Sequence, residues 1–152
     1  MSLCLPGAIS DAEKLDAYED FTFIGKQFRL ETGVVATPPL DPYGGRRWLE
    51  EYQSPPRNKV VVKKFRSTYL DAVICALRAA VQTSMISIIV FGQGGLVAMG
   101  LLSPEVRAAA FSERRLPETE SIPLELCAKS LTHVVLVAPH SYPLKSYMQL
   151  LA

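Results

Sequence analysis

The sequence is poor in the residues from which small catalytic and metal centres are built. Two histidines, one tryptophan and three cysteines occur in 152 residues. Cys4, Cys75 and Cys127 lie far apart with no Cys-x-x-Cys pair, which argues for a reducing compartment and against a disulfide framework or structural zinc. His133 and His140 flank one apolar stretch without a paired carboxylate beside them, so no metal site is expected. An excess of one charge is also missing. A formal net charge of +1 supplies no global field to recruit nucleic acid or a membrane surface. The longest apolar run, Ile86 to Leu102, is interrupted by Ser87, Gln93 and four glycines, so no transmembrane helix is expected. No basic segment followed by a long apolar core opens the chain. The expected location is cytoplasmic or nuclear, not secreted, either free or inside a larger polyprotein.

What is present is globular: 49% apolar and 20% charged residues, in a length suited to one domain. Ser10-Asp11-Ala12-Glu13 has the form of a capping box opening a short helix, and residues 1–19 are set apart as an N-terminal extension. Residues 20–152 form the expected domain. Phe21 to Ile24 and Gln27 to Leu30 alternate as a strand broken at Gly25, and Gly33 to Ala36 is a second strand stopped by Pro38-Pro39. Arg46 to Tyr52 suits a short helix, and Lys59 to Phe65 reads as a strand. Ser67 to Val81 carries Tyr69, Val73, Ala76, Leu77 and Ala80 at helical spacing, with Ser67 as its cap. Ile86 to Phe91 is a continuous apolar strand, followed by a helix over Leu96 to Leu102 and another begun by Ser103-Pro104. A short helix around Pro123 to Ala128, a buried strand at Thr132 to Ala138 and a closing helix at Tyr142 to Leu151 complete the chain. This alternation predicts a three-layer α/β/α sandwich with a mixed, mainly parallel sheet.

The chemistry concentrates at Phe91-Gly92-Gln93-Gly94-Gly95-Leu96, where a buried strand empties into glycines and a helix start. Such a turn brings backbone close to a ligand and leaves helix N–H groups free for an anion. A turn that only packs a helix on a sheet is the competing account. Gly92 stands where a nucleophile elbow would carry serine, so acyl-transfer chemistry is absent from this turn. The dinucleotide fingerprint lacks its third glycine and its ribose-binding acid. A second feature is the basic run Arg46, Arg47, Arg57, Lys59, Lys63, Lys64 and Arg66, with Tyr43, Trp48 and Tyr52 beside it. Basic and aromatic side chains interleaved in this way can hold phosphates and stack bases, which would suit single-stranded RNA; a protein partner is the other occupant considered.

Taken in order, the segments resemble a macro domain, the ADP-ribose-binding module. Phe21 to Phe28 corresponds to that family's first strand and Gly-Asp step, and Gly33 to Pro39 to the strand that ends in asparagines. Gly44-Gly45 resembles the glycine loop beside the distal ribose. Ser67 to Val81 matches the long helix, and Ile86 to Leu96 the strand leading into the diphosphate loop. Val134 to Val137 with Tyr142 to Leu151 resembles the closing strand and helix. The resemblance implies binding of ADP-ribose or a related nucleotide, with Gly92, Gln93, Gly94, Gly95 and Leu96 on the phosphates, Gly44 and Gly45 lining the pocket, and His140 or Tyr142 flanking a base. Lys26 replaces the acid that would contact adenine, and Thr37, Pro38 and Pro39 replace the asparagines. The implied activity is therefore binding without hydrolysis and without a cofactor, as in degenerate macro-like domains of viral polyproteins that bind nucleic acid or proteins instead.

Overall fold

Short strands that are apolar on both faces need cover on both sides, and four of them set this architecture. The computed structural model describes residues 2–7, 17–50, 57–82 and 87–137. Along the chain it has β1 (Ser2–Leu5), α1 (Ala17–Gln27), β2 (Thr32–Val35), α2 (Lys59–Val81), β3 (Ser87–Phe91), α3 (Gly94–Leu102), α4 (Pro104–Glu113), α5 (Glu118–Ser130) and β4 (His133–Val137). The sheet order is β2-β1-β3-β4, and every pairing among the described strands is parallel. The expected mixed sheet is thus all-parallel. Among the described residues the antiparallel component is one isolated bridge between Leu40 and Arg46.

Residues 2–5, expected in an extension, form a strand in the interior of the sheet. A four-residue apolar strand is too short to announce itself by periodicity, yet all four of its residues are buried. From β1 the chain steps one way to β2, then back across to β3 and on to β4. With right-handed crossovers, reversing the direction of travel also reverses the face on which the connecting helices lie. Accordingly, Phe21 of α1 packs with Cys4 and Ile89 on one face. Leu3, Leu5, Ile88 and Val90 point to the other face, into a core with Tyr69, Leu77, Leu101 and Leu124 from α2, α3 and α5.

Three segments have a different structure from the one expected. Phe21 to Leu30 is mostly helix: Phe21 is buried whereas Phe23 is 61% exposed, so the apparent alternation does not mark a strand. Gly25 sits where a Cβ would lie 2.5 Å from the Thr32 methyl, which lets α1 press onto β2. Lys59 to Phe65 forms the first turns of a 23-residue helix. Asn58, not Ser67, is its cap, with Oδ1 accepting from the Val60 and Val61 N–H groups at 2.9 and 3.4 Å. The three valines favour a strand intrinsically, but the cap and the apolar face that begins at Phe65 override that preference. Arg46 to Glu50 is irregular. α5 starts at Glu118 and passes through Pro123, which removes only one ladder donor. β4 was expected inside the sheet but lies at the edge of the described strands, with Val134 and Leu136 exposed. The expected capping box at Ser10 and closing helix at Tyr142 to Leu151 lie outside the described residues.

Ser103 caps α4 as expected, accepting from the Val106 N–H with Pro104 in the first turn. One turn on, Arg107 is buried and locks three helices together. Its Nε and Nη2 donate to the two Glu125 carboxylate oxygens at 2.8 and 2.9 Å, and Nη1 donates to Leu101 O at 2.9 Å. Arg107 holds the Glu125 carboxyl below its ordinary value, against the opposing effect of burial. Removing the more exposed partner would leave a guanidinium buried without its counter-charge, so Glu125→Ala is expected to cost about 3 kcal/mol in urea unfolding at pH 7. A lowered carboxyl pKa contributes stability above the unfolded value and loses it as pH falls through the folded one. The wild-type advantage should therefore shrink from pH 7 to pH 3.

Candidate functional site

In open parallel sheets, ligands settle beyond the carboxyl ends of the strands at the point where the strand order reverses. Here that point lies between β1 and β3, and both strands lead to glycine, β3 directly and β1 after Pro6. Gly7 follows β1, and a Cβ on it would lie 3.3 Å from Phe91 O. Gly92 follows β3 in the left-handed region, φ 50°. A Cβ on Gly94 would fall 2.2 Å from Leu5 O, so glycine is what lets the start of α3 sit against the end of β1. Gly95 is different: a side chain there would meet nothing within 4 Å.

Gln93, expected to touch ligand, is buried and fully engaged in holding the fold. Its Oε1 accepts from the Trp48 and Leu49 N–H groups at 3.1 and 3.4 Å, and its Nε2 donates to Leu49 O at 2.8 Å. Trp48, 1% exposed, donates from Nε1 to Pro6 O at 2.8 Å. The irregular segment before Glu50 is thus pinned to the ends of both strands. In the turn itself, Gly95 N–H bonds Gly92 O and Leu96 N–H bonds Gln93 O, each at 3.1 Å. The Gln93 and Gly94 N–H groups make no hydrogen bond within the described residues, and both residues are buried, with Gly92 and Gly95 half-buried on either side of them.

Gly44 and Gly45 belong to a loop closed by Asp41. The Tyr43 and Gly45 N–H groups donate to Asp41 Oδ1 at 2.8 and 3.0 Å, and Asp41 N–H donates to Gly45 O at 2.8 Å. Gly44 lies at the tip with φ 84° and is exposed. Arg47 pairs with Asp41 Oδ2 at 2.9 Å. Burial opposes the Asp41 charge, but these two N–H groups and the Arg47 guanidinium outweigh it and lower the carboxyl pKa.

The basic run is divided among separate tasks. Arg46 Nη1 donates to Pro38 O at 2.9 Å, Lys64 faces Glu50 at 3.5 Å, and Arg66 pairs with Glu113. Arg57, Lys59 and Lys63 stand exposed around the start of α2. Of the aromatics read with this run, Trp48 is in the core and cannot stack on a base, whereas Tyr43 is exposed. Tyr52, His140 and Tyr142 lie outside the described residues. His133 pairs in register with Ser87, at the opposite end of the sheet from Gly92. Burial pushes the Cys4 thiol up to about 12 and also raises Cys75 and Cys127, which disfavours the thiolate form. No described helix is long and apolar enough to cross a membrane.

Two contributors escape the sequence reading. The end of β1, Leu5-Pro6-Gly7, carries the same signal as Phe91-Gly92, an apolar run closing on glycine, but within four residues. Asp41 lies in Asp41-Pro42-Tyr43-Gly44-Gly45, which has the composition of a turn, and nothing local marks it as the residue that closes the loop. Comparisons with protein-family models, with curated proteins and with solved structures return no match.

Two expected outcomes separate packing from ligand contact. Gln93→Ala should lower stability by about 3 kcal/mol, read as a shift in urea midpoint, because buried Trp48 and Leu49 backbone groups lose their partners. Gly95→Ala should stabilise α3 by roughly 0.5–1 kcal/mol, whereas Gly94→Ala should destabilise, since Leu5 O cannot move aside without disturbing β1. Thermal unfolding of the two variants reads both signs.

Proposed function

We propose that the crevice at the carboxyl ends of β1 and β3 binds a phosphate-bearing nucleotide without transforming it, with ADP-ribose as the first ligand to test. The observation that carries this reading is the coincidence of the strand-order reversal with the glycine turn. The position that favours ligands in such sheets is also where the glycine turn, half-buried at Gly92 and Gly95, holds the buried Gln93 and Gly94 N–H groups, which have no partner among the described residues. Backbone donors of this kind recognise phosphate by geometry and need no acidic or asparagine side chain, which is consistent with Lys26, Thr37, Pro38 and Pro39 at the positions named above. The Gln93 side chain then serves the site indirectly, by holding the turn whose backbone N–H groups would face the phosphate. Gly92 in place of a nucleophile supports binding over catalysis.

The test is an amide-resolved NMR titration with ADP-ribose, ADP and ribose. Saturable shifts at Gly92, Gln93 and Gly94 with the two phosphorylated ligands, and none with ribose, are expected. Absence of any shift there at about 5 mM ligand would exclude the reading, since that concentration reveals even millimolar binding. Shifts confined to Arg57, Lys59 and Lys63 would instead mark diffuse charge attraction.

A further inference from the structure

A second concavity lies away from the glycine turn, between the last turn of α2 and the first turns of α5. It is an open hollow of about 420 Å³. Val81, Pro123 and Leu124 make its apolar wall, and Arg78, Thr119 and Glu120 bring polar groups to it. That size and that mixture, apolar lining with a few convergent polar groups, suit a small organic molecule. The polar groups also define its charge. Arg78 Nε donates to Glu120 Oε1 at 2.6 Å, with the two side chains 53% and 34% exposed. This uses one edge of the guanidinium. The Nη groups and the Thr119 hydroxyl have no hydrogen-bond partner among the described residues. A guanidinium can engage a second carboxylate along its Nη edge while Nε stays on the first.

We propose that this cavity binds small organic monocarboxylates carrying a short apolar tail, the carboxylate on the Nη edge of Arg78 and the tail against Val81 and Leu124. Glu120 is then a built-in competitor: it already neutralises Arg78 and repels a second anion, so it keeps binding weak. The two partners of a single ion pair must therefore act in opposite directions. This site is independent of the glycine turn, and its failure would leave the nucleotide reading untouched.

The probe is hexanoate, with hexanamide as its neutral counterpart, titrated into the labelled chain and followed at the Val81, Thr119 and Leu124 amides. Hexanoate should give saturable shifts with a Kd on the order of millimolar, and hexanamide none. Glu120→Gln should tighten hexanoate binding about threefold or more. Arg78→Gln should abolish it, and Arg78→Lys, which keeps the charge and loses the fork, should weaken it severalfold. Thermal unfolding of each variant confirms that it is folded, and Arg78→Lys carries the test if Arg78→Gln is not. Equal binding of hexanoate and hexanamide would reduce the cavity to an apolar groove and overturn the proposal. So would weaker binding in Glu120→Gln, undiminished binding in Arg78→Lys, or no shift at all.

Discussion

A buried primary amide must satisfy both its carbonyl and its NH₂ group, and in this protein that requirement organises the end of the sheet. Gln93 leaves β3 into the core and meets it with backbone groups of Trp48 and Leu49. Those groups lie in a segment with no helix or strand of its own to satisfy them. The exchange is therefore mutual: the irregular chain supplies what the amide lacks, and the amide supplies what the irregular chain lacks. Trp48 extends the link to Pro6, so that the ends of β1 and β3 and the connection from β2 to α2 hold one another in place. The glycine turn owes its fixed geometry to this arrangement.

The remaining order follows from chirality and packing. Because the chain reverses direction after β2, α1 alone of the described helices falls on one face, while α2 to α5 build the larger core on the other. Gly100 lets α3 lie so close to α2 that a Cβ there would come within 2.5 Å of the Tyr69 ring. On the far side of the same layer, Arg107 ties α4 to Glu125 of α5 and to the last turn of α3. Gly100 and Arg107 solve the same problem with opposite means, one by having no side chain and the other by filling a buried gap with paired charge.

Where the sequence carried a local chemical signal, it was legible. Pro38-Pro39 ended β2's segment, Ser103-Pro104 opened α4, and the apolar run before Gly92 was a strand. The failures occurred where a local pattern had two physical meanings. Phe21 and Phe23 alternate, yet only Phe21 is buried, and the relevant neighbour is Ile24 one helical turn on. The valines after Lys59 favour a strand in isolation and a helix once Asn58 caps them and Phe65 to Leu77 supply a buried face. Val134 to Val137 had the composition of an interior strand, but composition does not report how many strands lie beyond it. At the site the glycines were visible and the partner of Gln93 was not, since 44 and 45 residues separate it from Leu49 and Trp48. A buried polar side chain and a ligand-facing one look alike in a sequence.

The position of β1 also constrains the order in which the protein forms during synthesis. Ser2 is in register with Thr32 on one side and with Ser87 on the other, and the Ser2 and Ser87 hydroxyls share a buried hydrogen bond of 2.6 Å across a separation of 85 residues. Among the described strands the first to leave the ribosome thus waits until residue 87 for its second neighbour, and parallel pairings of such long span are intrinsically slow. Until Ser87 to Phe91 emerges, Leu3, Cys4 and Leu5 have half of their eventual sheet and an open edge. The strand that holds the centre of the finished molecule is the one that spends longest unfinished, its edge open while about 80 further residues are made.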